Sequence, residues 1–348
     1  VGSLTERCAE AFLVHRKELR MRGNYEGIKS QIDPINPCLA ILVALVVVAA
    51  SSLERPSHGE PSNEEHQRFP CHETEISHYT AYRTGESIRI DGQLEEASWK
   101  TVPRSPRFVD LISGSPTIHD TRAAVLWDET NLYVGFWIEE PHVRGNLTDH
   151  VLDLEDNNVE VFIAGKDSYF EFEINALGTI YDSFLIWEEA YDDGGFAEVP
   201  DFRRTHPGIK RVNGVGFKTH PRGTRLRARH WSFPGLQAAV HIDGTLNDDR
   251  DRDRDRGWSV EVVFPWKGTQ WLAKADGRSL PPKGGDVWRI DFSRFNQYKE
   301  SPPARDSGGW AWSPHGIWDS HIPECFPYIH FSSSTTCGFP VLSASRGR

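Results

Sequence analysis

From about residue 76 onward, apolar residues recur at every second position, the spacing that sends successive side chains to opposite faces of an extended strand. Leu132, Val134, Phe136 and Ile138 share one face, and Phe170, Phe172 and Ile174 share another, opposed by Tyr169, Glu171 and Glu173. Val159, Val161 and Ile163 point away from Glu160 and Phe162, while Trp258, Val260, Val262 and Phe264 form a fourth such face. Further strands are predicted at 122–127, 180–187, 225–230, 236–242, 287–293 and 326–331, and no helical stripe of ten residues interrupts them. Many short strands separated by Gly, Pro and Asp turns predict an all-β fold, an antiparallel β-sandwich of jelly-roll-like form over residues 79–333. Phe136, Val161, Phe170, Phe172, Val260 and Phe264 are its expected core. Twelve Trp, 18 Phe and 9 Tyr supply the large rings that such a core must hold.

The amino-terminal part reads differently. Cys38–Ala50 is an apolar run of 13 residues, shorter than the roughly 18 of a membrane span and within the length of a signal-peptide core. Arg22 and Lys29 precede it, Met21 offers an internal start, and Ala49-Ala50-Ser51-Ser52 supplies the small residues of a cleavage site. Residues 1–50 are therefore expected to be an extension plus signal peptide, and the protein to be secreted or periplasmic; a short buried or membrane-anchoring helix is the competing reading. Residues 51–78 read as a linker rich in Ser, Pro, Glu and His, and 334–348 as an irregular tail. Beyond the signal stand Cys71, Cys325 and Cys337, an odd number that permits one disulfide and leaves all three pairings open.

The formal charge of −11 argues against nucleic acid as a partner, because phosphate-backbone binding needs a basic surface. Asp248–Arg256 alternates Asp with Arg, which reads as a solvated hairpin loop and less readily as a calcium loop. Between Phe202 and Ile242 there are nine basic residues and no acidic one. That stretch fits either one charged outer face of a strand pair or a surface for a polyanion such as an acidic polysaccharide.

Four blocks, in order, carry a family resemblance: Ile90-Asp91-Gly92 through Trp99, Leu126-Trp127-Asp128 through Val134, Asn158 through Ile163, and Gly257-Trp258 through Trp266. The chain is similar, over about residues 80–332, to family 9 carbohydrate-binding modules and related sandwiches. The resemblance implies a module of xylan-degrading enzymes that grips the reducing-end sugar of a glycan between two Trp rings, with calcium as a structural ion. Such chemistry suits the residue types, since a pyranose stacks its C–H face on an aromatic plane while its hydroxyls need fixed acceptors at the rim. By the same resemblance Glu160 is the acceptor glutamate, Glu140 the acidic residue before Pro141, and Trp318 one clamp ring. Trp312 is a further aromatic candidate, although it and Trp310 also read as packing. Leu154 stands where the second clamp ring is expected, and Glu171 near the place of a sugar-binding arginine, so Trp187 or Trp231 would have to reach across to oppose Trp318.

Catalysis by this chain alone is not expected. The neighbouring acids Glu139/Glu140, Glu188/Glu189 and Asp192/Asp193 would point to opposite faces of a strand, unlike the acid and base of a glycoside hydrolase of endo-xylanase type. His315, His321 and Cys325 match no compact zinc spacing. Haem-binding electron transfer is the alternative on a similar sandwich. It would need His or Lys axial ligands, because the mature chain offers no Met and no C-x-x-C-H attachment.

Overall fold

The computed structural model describes residues 69–148, 156–214, 216–248, 254–298 and 302–336. All of them fall within the compact unit Ser62–Arg348. The signal-peptide reading, most of the linker, Leu154, Cys337 and the centre of the Asp/Arg repeat lie outside the described residues.

Among the described residues fourteen strands are joined by hydrogen bonds, twelve along one continuous path and the other two, the second and the thirteenth in chain order, branching from the twelfth. In chain order they are β1 (His78–Arg83), β2 (Val109–Asp110), β3 (Thr121–Trp127), β4 (Asn131–Glu139), β5 (Asn158–Ala164), β6 (Ser168–Asn175) and β7 (Ile180–Trp187). Then follow β8 (Ile209–Val212), β9 (Arg225–Ala228), β10 (Gln237–Asp243), β11 (Gly257–Pro265), β12 (Val287–Phe295), β13 (Gly309–Ala311) and β14 (Tyr328–Thr335). Two five-residue α-helices, Ala97–Thr101 and Gln270–Lys274, complete the regular structure apart from 3₁₀ turns. Among the described residues no helix is long and apolar enough to cross a membrane.

The path folds into two layers at β12. Its first residues, Val287–Arg289, pair with β14 in the front layer (order β10-β11-β4-β3-β1-β14), and Ile290–Phe295 pair with β5 in the back layer (β5-β6-β7-β9-β8). Rings from the layers meet between them: Phe136 of β4 lies 6.2 Å from Phe292 of β12, and Phe264 of β11 lies 5.6 Å from Phe172 of β6. Phe136, Val161, Phe170, Phe172, Val260 and Phe264 are all fully buried, as the alternation predicts.

The antiparallel expectation fails at one strand. β1 runs parallel to both neighbours, β3 and β14. No hairpin constrains its direction, since the connection to β3 spans residues 84–120 and is long enough for a crossover. The end of the predicted linker is also packed: Cys71 and Ile76 are buried with Ile322 and Cys325, and Cys71 is bonded to Cys325.

The recognisable blocks turn out to be joints of the architecture. Glu261 of β11, fully buried, accepts hydrogen bonds from the backbone N–H of Asp91 and Gly92 and from Trp99 Nε1 at 3.0, 2.9 and 2.7 Å. Asp128 holds the β3–β4 turn, accepting from Thr130 N, Asn131 N and the Tyr133 hydroxyl. Gly257 needs its lack of a side chain: with φ at +137°, a Cβ there would come 1.9 Å from the Ile138 carbonyl oxygen on β4.

Candidate functional site

Register determines which side chains of the back layer face outward. Glu160 of β5 pairs with Ser293 of β12, Phe162 pairs with Asp291 and with Glu171 of β6, and Asn158 pairs with Phe295. These residues therefore share one face, turned away from the core side that carries Val159, Val161, Phe170 and Phe292. Half-buried strands are expected from the alternation, yet every residue of β5 and β6 is buried. The reason is tertiary: the segment 313–326 lies across the outer face.

Its contacts are specific. Ser320 and Ser293 hydroxyls hydrogen-bond Glu160, the latter to Oε2 at 2.8 Å. His321 sets Nε2 3.3 Å from Glu171 Oε1 and Nδ1 3.1 Å from the Tyr169 hydroxyl. His315 lies 3.5 Å from Asp291, with both side chains inaccessible, and its Nδ1 donates to the Asp319 carbonyl. Phe326 packs on Phe162, and Trp318 meets Phe295 edge-on at 5.2 Å.

Three carboxyls, Glu160, Glu171 and Asp291, thus share a dry site with two imidazoles. Burial, reinforced by the charges of Glu171 and Asp291, pushes the Glu160 carboxyl well above the usual carboxylate range. Burial would lower His315, but Asp291 and Asp319 outweigh it and raise the imidazole. His321 is pushed down to about 3 by burial and by the nearby Arg225 guanidinium.

A stability consequence follows from Glu160. The folded state keeps its proton to higher pH than the unfolded chain, whose value is near 4.5, so this group lowers stability as pH rises from there through the folded pKa. Glu160→Gln keeps the acceptor for both serines and removes the charge. Its melting temperature should match the parent's at pH 4 and exceed it increasingly toward pH 8, by about 2–4 °C for each kcal/mol relieved. Calorimetric curves that stay parallel across that range would show that Glu160 is not the strained acid.

The expected site residues are only partly brought together. Glu160, Glu171 and Trp318 share the outer face, Trp318 being half-buried and standing on Phe295, two register positions from Glu160–Ser293. Trp312 is elsewhere: it is in the core between Tyr79 and Phe292, each with its ring centre 5.0 Å away. Strand β13 explains this, because its pairing with β12 puts Trp310 beside Arg294 and carries Trp312 on to the Phe292 side. Glu140 is a buried joint at one end of the sandwich, accepting from Trp258 Nε1 at 2.7 Å and Arg294 at 3.2 Å. Trp231 belongs to the core beside Phe184, and Trp187 is buried beneath Arg222 and Arg225, so neither opposes Trp318.

Asp291, Ser293, His315 and Ser320 were not among the expected site residues; the alternation of β12 places Asp291 and Ser293 on one face, but nothing local shows what covers it. The basic stretch is partly neutralised, with Arg204 and Arg211 on Glu188 and Arg222 on Glu189, while Arg225 turns inward. Among the described residues no group of three His, Cys, Asp or Glu is arranged to hold a metal. Buried Asp255, at the end of the Asp/Arg repeat, instead accepts from the N–H groups of Val143 and Thr245.

Fold and site define the class, an all-β sandwich whose outer sheet face carries a covered carboxyl cluster with a tryptophan at its edge. Residues 90–178 are similar to the sequence model of the family described as "Carbohydrate family 9 binding domain-like". Among curated proteins nothing matches the sequence at significant similarity. A Bacteroides uniformis protein described as a candidate carbohydrate-binding protein is similar in structure, at 15% identity and a TM-score of 0.43, covering 74% of this chain and 100% of that one. A family 9 carbohydrate-binding module of Caldicellulosiruptor kristjanssonii in complex with cellotriose is 12% identical, with a TM-score of 0.39 and coverage of 75% and 98%. The structure from that organism with glucose gives 13%, 0.36, and coverage of 74% and 97%.

Proposed function

We propose that this chain is an exported carbohydrate-binding protein that seats a sugar of a plant-type polysaccharide, xylan among them, on Trp318 beside Glu160. The observation that carries the reading is that one short segment supplies both ends of the contact: Trp318 stands on Phe295, and Ser320, two residues on, hydrogen-bonds Glu160. A half-buried ring offers a plane for the C–H face of a pyranose, and the covered Glu160 carboxyl, bonded to Ser293 and Ser320, holds the segment that carries the ring. Export is supported by the Cys71–Cys325 disulfide, since such bonds persist in oxidising compartments.

Trp318→Ala should cost about 1–2 kcal/mol of sugar binding, roughly 5- to 30-fold in affinity, with the melting temperature little changed. Calorimetric titration with xylo- and cello-oligosaccharides measures this directly. Equal affinity of variant and parent would remove Trp318 from the site, and no heat with any glycan of a broad panel would overturn the carbohydrate reading.

A further inference from the structure

A cavity of about 500 Å³ opens at the same end of the back layer, within the size range of small-ligand sites. Asn157 and Asn296, on its wall, each lie one residue beyond the Asn158–Phe295 pair that supports Trp318. The charged and titratable residues of its lining are two guanidiniums, Arg144 and Arg254, two imidazoles, His119 and His142, the Tyr298 phenol and one carboxylate, Glu140. Glu140 is already engaged by Arg294, by Trp258 Nε1 and by Asn157 Nδ2. The fully buried Arg294 guanidinium behind it lies over the Trp310 ring, 4.6 Å from its centre. The recess is thus a locally cationic place on a chain whose net charge is −11. Its field is visible at His119, which burial and the charges of Arg294, Arg107 and Arg254 push down to about 4 despite the opposing Glu139.

We infer that this cavity is a subsite for the carboxylate of a uronic acid, carried as a branch or neighbour of the sugar seated on Trp318. The inference rests on the carbohydrate reading above. A guanidinium matches a carboxylate by parallel charge-assisted hydrogen bonds. Exposed Arg254 in the lining is placed to make them, with the Gln297 amide as a neutral partner for sugar hydroxyls.

The test is calorimetric titration of the full chain with a xylo-oligosaccharide bearing one glucuronic acid branch and with the unbranched oligosaccharide. The acidic ligand should bind about tenfold more tightly, the effect of one hydrogen-bonded charge contact. Arg254→Ala should abolish that advantage while leaving the neutral affinity as it was, and Arg254→Lys should retain part of it. Trp318→Ala should weaken both ligands alike. Free glucuronate should compete at this place better than sulfate. Equal affinities for the two oligosaccharides, or an advantage that survives Arg254→Ala, would overturn the uronate subsite and leave neutral sugar binding intact. Sulfate competing as well as glucuronate would reduce the cavity to a general anion site and overturn it too. Binding of neither oligosaccharide would overturn both readings.

Discussion

Replacing Arg294 by Met is expected to remove about 3–5 kcal/mol of folding stability, the scale seen when one partner of a buried ion pair is deleted. The Arg294 side chain is wholly inaccessible and that of Glu140 is 4% exposed. Its guanidinium donates to Glu140, to the Thr121 hydroxyl and the Glu139 carbonyl at 2.9 Å each, and to Asn296, joining β12 of the back layer to β3 and β4 of the front. Met fills much of the volume and donates nothing, so a carboxylate would be left buried with Trp258 and Asn157 as its remaining donors. The loss should therefore depend on Glu140. In the Arg294→Met/Glu140→Gln double variant a large part of the stability should return, because the stranded charge is gone. Denaturant titration of parent, single and double variants measures the coupling. Strict additivity would mean that the pair is not the source of the effect.

Loss of the Cys71–Cys325 bond should be the second large effect, about 2–5 kcal/mol, or roughly 5–15 °C in melting temperature at this size. The bond closes a loop of 254 residues and ties the first described residues to the end of the segment over the Glu160 face. Ser77 N to the Ser313 hydroxyl at 2.9 Å and the Tyr328 hydroxyl to Glu73 at 2.7 Å make the same connection by hydrogen bonds. The double substitution Cys71→Ser/Cys325→Ser is the clean variant, since a single one leaves a free thiol. Hydrogen exchange should quicken in residues 313–326 before it does in β5 and β6, because the covering segment loses its anchor while the core ladders keep theirs. A melting temperature unaffected by reduction of the parent would contradict this.

How much of this could be read in advance follows from what each feature depends on. Strand placement depends on alternation within a few residues, so β3, β4, β5, β6, β7 and β11 are found within a residue or two of the predicted spans. β2, β8 and β13, of two to four residues, carry too few positions to show a period, whereas β9, also of four, lies within the predicted span 225–230. The family blocks are legible because they are joints: Asp128 closes a turn and Glu261 fastens Asp91, Gly92 and Trp99. Trp312 shows the limit, because Trp310, Trp312 and Trp318 look alike as sequence. Only the pairing of β13 with β12 sends the first two to the core side and leaves Trp318 against Phe295 on the other.

The sequence by itself therefore determined the all-β class, most of the strands, the core faces and the outward direction of Glu160, all of which depend on neighbours along the chain. The tertiary structure alone decided that β1 enters parallel between β3 and β14, that residues 313–326 bury the outer face, and that Glu160, Glu171 and Asp291 share one dry site with His315 and His321. Alternation with period two assigns side chains to two faces, but what covers a face, and so whether a carboxylate there meets water or another carboxylate, depends on chain more than a hundred residues away.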